Sequence, residues 1–222
     1  MCFSAEASFG ASVILGTVGV FTLKKANTTS EKFFASLPLV FGVQQFVEGF
    51  LWIAIENNYV QLQNISTHLF IIIAQIIWPV LVPFSIMLME PEKKRKSLLN
   101  MFLLFGGIAS VYLAYCIAIY SVKSEIDRHH IFYALGFPHV NKGAIALFYV
   151  IPTAISPFIS SIKRMKILGA LILGTFIFTQ YFYTKHAISV WCFFAAIMSA
   201  EVWVIMNRLN KDKNQTTSPE MN

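Results

Sequence analysis

Glu48 is the residue in this sequence with the most to do. It stands inside an apolar run, in the stretch Gln44-Gln45-Phe46-Val47-Glu48-Gly49-Phe50-Leu51-Trp52. An ionised carboxylate within a bilayer is costly, so such a group is neutral, paired or turned towards water. Gln45, Glu48 and Trp52 follow i, i+3, i+7 spacing and share one helix face, with Gln44 on an adjoining strip. Two readings are open. In one, Glu48 and a glutamine make a hydrogen-bonded packing contact between helices. In the other, Glu48 handles a proton or binds a ligand, with His129 or His130 as its partner.

Cysteine and histidine supply the other reactive groups, as soft metal ligands, redox groups and nucleophiles. Cys2 and Cys192 have three readings: small apolar packing residues, a disulfide pair, or ligands of a metal or haem and reactive thiols. Cys116 is an alternative disulfide partner, because sequence does not assign connectivity. No pair has the C-x-x-C spacing of a zinc site. His129 and His130 are adjacent. In an extended segment their side chains alternate, so at most one enters any site. Trp191, beside Cys192, suits either the aromatic belt of a membrane protein or the wall of a ligand pocket. Trp78 and Trp52 suit the same wall.

Seven apolar runs must position these groups: about 3–23, 33–55, 67–89, 97–120, 143–162, 167–183 and 187–206. A membrane-crossing helix needs about 20 residues, so the runs consume most of the chain. Basic residues cluster after alternate runs, at Lys24, Lys25 and Lys32, then 93–96, then Lys163, Arg164 and Lys166, then Arg208, Lys211 and Lys213. Only Lys123, Arg128, Lys142 and Lys185 fall in the other connections. The positive-inside rule then predicts seven spans with the N-terminus outside and the C-terminus in the cytoplasm. In that frame Cys2, Cys116, Cys192, His68, His129, His130 and His186 fall in the outer third, and His139 in an outer loop. Glu201, near the inner end of the last run, is placed to snorkel to the interface.

The sequence predicts an all-α fold. Residues 1–206 form the seven-helix membrane domain and 207–222 a polar, disordered cytoplasmic tail. The longest connection, 121–142, contains the short apolar stretch Ile131–Leu135, expected to be interfacial or re-entrant. Prolines 79, 83, 152 and 157 predict kinks, which either shape the packing or open a cavity between the third and fifth spans. The chain has no basic region ahead of its first apolar run, so that run must serve as its own insertion signal.

Composition agrees. The 222 residues are 56% hydrophobic and only 13% charged, where a soluble domain carries about 25% charged residues. The net charge of +6 is divided among connections between spans, where it orients helices and meets anionic headgroups. That excludes a nucleic-acid partner and leaves the lipid bilayer, with a small ligand or lipid. A retinal protein is excluded because 187–206 holds no lysine for a Schiff base.

The opening Met1-Cys2-Phe3-Ser4-Ala5-Glu6-Ala7-Ser8-Phe9 resembles that of an uncharacterised bacterial family of small polytopic membrane proteins beginning Met-Cys-Phe-Ser-Ala. The likeness continues through Gln44–Gly49 with Trp52, Trp78-Pro79-Val80, His129-His130-Ile131 with Tyr133, and Ser189-Val190-Trp191-Cys192-Phe193-Phe194-Ala195-Ala196. It implies a bacterial inner-membrane protein of the same fold and carries no mechanism with it. The expected function is binding or transport of a small ligand or metal in an outward-facing pocket. Its expected lining is Glu48, Gln45, Trp52, Trp78 and Trp191, with His129 or His130, Cys2 and Cys192. The alternative is a membrane-embedded metal- or thiol-dependent enzyme acting on a lipid-like substrate at the outer leaflet.

Overall fold

The computed structural model describes residues 4–138 and 147–217, with the backbone alone for 192–193 and 212–217. Helix α1 (Ala5–Leu23) starts at Ser4, whose hydroxyl accepts the Ala7 N–H at 3.2 Å. Helix α2 (Thr29–Ala35) starts with a capping box, Thr28 and Glu31 each satisfying the other's backbone. It joins α3 (Leu37–Glu56) across Ser36, and the two form one long apolar helix. α1 packs on α3 through small residues. A Cβ added at Gly19 would lie 2.7 Å from the backbone N of Leu39, and one at Gly42 would lie 3.0 Å from that of Gly16. The Ser12 hydroxyl donates to the Gly42 carbonyl at 2.8 Å. Close backbone approach of this kind is how apolar helices associate without a hydrophobic driving force.

Helix α4 (Val60–Ile72) passes through a π-helical turn, Ile73–Ile77, into α5 (Trp78–Met89). The prolines produce these wide turns where kinks are expected. Pro79 cannot donate a backbone hydrogen bond, so carbonyls one turn earlier need other donors. The Tyr149 hydroxyl reaches the Ala74 carbonyl at 2.6 Å and the Ser110 hydroxyl the Ile76 carbonyl at 2.8 Å. Helix α6 (Lys93–Ile119) presses on this break, and a Cβ at Gly106 would stand 1.8 Å from the Pro79 carbonyl oxygen. Helix α7 (Leu147–Ile159) has a second π turn, Ile151–Ile155, containing Pro152. α8 (Met165–Phe182), α9 (Ala187–Phe193) and α10 (Ala195–Thr217) complete the bundle.

Among the described residues five helices are long and apolar enough to cross a membrane: α1, α2–α3, α4–α5, α6 and α8. The α9–α10 pair, bent by 40°, makes a sixth if it is one span. The expected fifth span is described only as α7, which is too short to cross alone. α10 runs on to Thr217, through a stretch expected to be a disordered tail.

Between α6 and α7 the chain forms an antiparallel hairpin, β1 (Val122–Asp127) and β2 (His130–Leu135). Of the two expectations for this stretch, interfacial or re-entrant, a strand paired in a hairpin departs from the re-entrant one. The backbone of Ile131–Leu135 is satisfied by β1 instead, with Arg128 at φ 59° in the two-residue turn. The hairpin caps one end of the bundle. Gln63 Nε2 donates to the Ser124 carbonyl at 2.8 Å, and Tyr133 stacks on Phe70 at 4.8 Å. At the opposite end the four basic connections meet. Asn210 Nδ2 donates to the Lys25 carbonyl, and Arg95 Nη1 to that of Ile159. Glu90 accepts from Ser160 and the Ser161 N–H, and Arg164 makes two bonds to Glu201 at 2.8 and 2.7 Å. Glu201 is therefore paired inside the protein.

Candidate functional site

The predicted pocket residues divide between two places. Glu48, fully buried, lies on α3 against α9. Gln45 Nε2 donates to Glu48 Oε2 at 3.0 Å, and the Ser189 hydroxyl donates to Glu48 Oε1 at 3.0 Å. Trp52 is buried two turns along the same face. Gln45 Oε1 and Trp52 Nε1 have no hydrogen-bond partner among the described residues. Ser189 stands far away in sequence and was not among the predicted site residues.

Gln44 points elsewhere, since one residue turns the helix by about 100°. Its Oε1 accepts the Trp78 indole N–H at 2.8 Å, and Phe41 stacks on the indole at a centroid separation of 4.0 Å. Gln44 and Trp78 face a cavity of roughly 370 Å³, within the range of small-molecule sites. Its walls come from α3, the α4–α5 break, α6, α7, α8 and α9. The third and fifth apolar runs, with their proline-containing π turns, supply two of its walls, and the second, fourth, sixth and seventh runs and the hairpin supply the rest. Trp191 closes one side, its indole N–H donating to Thr175 at 3.2 Å, with Phe176 edge-on at 5.6 Å. Leu135, Phe137 and Pro138 line the hairpin end, and Val82, Leu168 and Val202 the deep end. Beyond these, fully buried Phe34, Met165 and Met206 fill the bundle.

α9 separates the two places. Ala187, Ile188 and Trp191 face the cavity, and Ser189 faces Glu48. Glu48, Gln45 and Trp52 do not line the cavity.

The histidines form a third group. His129 occupies the hairpin turn and His130 begins β2. The His130 ring lies 5.1 Å from that of His186 and 5.6 Å from Tyr183, and His186 Nε2 is 3.0 Å from Asp127 Oδ2. Burial, then the neighbouring His186 and His129, pushes the His130 pKa below its ordinary value, against the pull of Asp127. The Asp127–His186 contact ties the hairpin to the connection before α9. His68 is half-buried and bonded to its own helix at the Asn64 carbonyl.

Cys2, His139 and the Cys192 side chain lie outside the described residues, so the disulfide and metal readings of Cys2 and Cys192 fall there too. Cys116 is a free, buried thiol. Among the described residues no three His, Cys, Asp or Glu side chains converge as metal ligands would. Gln44 and Ser189 are the contributors that the sequence expectation left out. Gln44 was detectable as a second polar residue in an apolar run, and Ser189 as the first residue of the stretch that holds Trp191 and Cys192, though neither signal gives its partner.

No curated protein and no solved structure matches the chain. A family profile does so over residues 1–218, nearly the whole sequence, and the chain therefore belongs to that family, described as a family of unknown function (DUF6629).

Proposed function

We propose that this protein binds, and through binding carries or senses, a small and largely apolar ligand held inside its membrane bundle. The single observation behind this reading is the cavity, walled by Trp78, Trp191 and Tyr149 and bordered by the fixed amide of Gln44. Apolar walls with a few placed polar groups are the usual make-up of such sites. The lining residues bond mostly to one another or to backbone, which favours binding over bond-breaking chemistry.

The protein sits in a bacterial inner membrane with seven crossings, N-terminus outside and C-terminus in the cytoplasm. The fifth apolar run, of which α7 is part, and the bent α9–α10 pair account for the two crossings beyond the five long helices. The cavity then opens towards the outer face. The positive-inside distribution supports this orientation, as does the meeting of all four basic connections at one end. Reporter tags on either terminus test it, and a cytoplasmic N-terminus would overturn it.

The binding reading is tested by filling the cavity. Val150→Phe should leave the melting temperature close to that of the unaltered protein. It should also remove the co-purifying or added ligand's effect on tryptophan emission. A variant that keeps that effect would sink the assignment of the site.

A further inference from the structure

We infer that the ligand is an uncharged, single-chain amphiphile: one aliphatic chain ending in a small neutral polar head such as an alcohol, amide or ester. The inference rests on the binding reading above and names the chemistry the cavity selects.

Three observations carry it. No Asp, Glu, His, Lys or Arg is among the described residues lining the cavity. The buried carboxylates of Glu48 and Glu201 do not line it; Gln45 and Ser189 hold the first and Arg164 the second. A charged head drawn inside would lose its hydration with no opposite charge to replace it, a penalty of several kcal/mol.

The second observation is size. A volume of roughly 370 Å³ corresponds to about a dozen non-hydrogen atoms, taking ~30 Å³ as the share of each. That suits one chain and is too small for a two-chain lipid.

The third is the gradient along the cavity. Leu37, Val82, Leu168 and Val202 form the deep end, which the buried core closes. Tyr112 and Gln180, neutral polar groups, lie on the parts of their helices nearer the hairpin, and Gln75 lies at the middle of α4–α5. A chain inserted tail-first places its head among amides and a phenol, which exchange hydrogen bonds with a neutral head at little cost.

The test uses the full-length protein in detergent, with Trp52→Phe and Trp203→Phe so that Trp78 and Trp191 alone emit. The probes are a medium-chain alcohol brominated at its tail and the carboxylate of identical chain, since bromine quenches indole fluorescence at contact. Above the pKa of the carboxylic acid, the alcohol should quench saturably and bind at least about tenfold more tightly, the factor that 1.4 kcal/mol represents. Acidification that protonates the acid should close the gap. Val150→Phe and Ile172→Phe, filling the cavity from different walls, should each abolish saturable quenching; one folded variant suffices. Equal affinity for the two probes, or preference for the carboxylate, overturns the neutral-head inference while leaving a binding cavity in place. Saturable quenching by neither probe overturns the cavity reading and the inference with it.

Discussion

Gln44 and Gln45 are neighbours on one helix, and they serve opposite kinds of environment. Gln45 joins Glu48 and Ser189 in a hydrogen-bonded contact between helices. Gln44 steadies an indole at the edge of an open cavity. Both side chains are almost fully buried, so burial alone does not distinguish them. What differs is the opposite wall. Gln45 and Glu48 meet a short helix that offers a hydroxyl. Gln44 meets helices held apart by proline-widened turns. Both glutamines have a side-chain partner at hydrogen-bond distance, and only the one that borders open space, Gln44, is a candidate for contact with a ligand.

The largest effect should come from the framework behind the cavity. Gly106→Ala places a methyl group against the Pro79 carbonyl, and it should cost about 3 kcal/mol of stability through overpacking. A thermal melt in detergent measures it. An unshifted melt would mean that α6 does not hold the widened turn.

Next in size is the Glu48 contact. Glu48→Ala leaves the Gln45 amide and the Ser189 hydroxyl buried without their acceptor, for a loss of about 2 kcal/mol. Glu48→Gln keeps an acceptor for Ser189 and should lose clearly less. Equal losses in the two variants would remove hydrogen bonding as the reason for the contact. Gln44→Leu strands the Trp78 N–H and should cost about 1 kcal/mol. It should also weaken binding of the brominated alcohol, which separates Gln44 from a purely structural glutamine.

The smallest effect is in pH. The lowered pKa of His130 means that the folded protein prefers the neutral ring more strongly than the unfolded chain does. Its contribution is therefore complete above the ordinary histidine value of about 6.5. It is lost as pH falls from there through the folded-state pKa. Melting temperatures across this interval should fall on acidification, and His130→Gln should reduce the slope. A slope unchanged by that substitution removes His130 as the source of the effect.

Much of the bundle is legible in the sequence because a bilayer imposes length and hydropathy on each crossing. The gathering of basic segments at one end is legible for the same reason. Pro79 and Pro152 announce a break, but the two hydroxyls that cap the freed carbonyls lie on other helices and carry no local signal. The hairpin escaped notice although its alternation is present, with Val122, Ser124 and Ile126 facing one way and Lys123 and Glu125 the other. Its turn, Arg128-His129, lacks the glycine or asparagine that normally announces one. The contact of Glu48 with Ser189 spans 141 positions, a distance over which one sequence says nothing about pairing.

The two-sidedness of α9 has a mechanical consequence. Seven residues make a rod of about 10 Å, too short to flex between its faces. Whatever presses on Trp191 tilts the whole rod and strains the Ser189–Glu48 bond. By the same token, loosening that bond lowers the work of opening the cavity. Occupancy on one side and bond strength on the other are then conjugate quantities, each shifting the other by the same free energy. A residue that never touches the ligand would still set how tightly it is held.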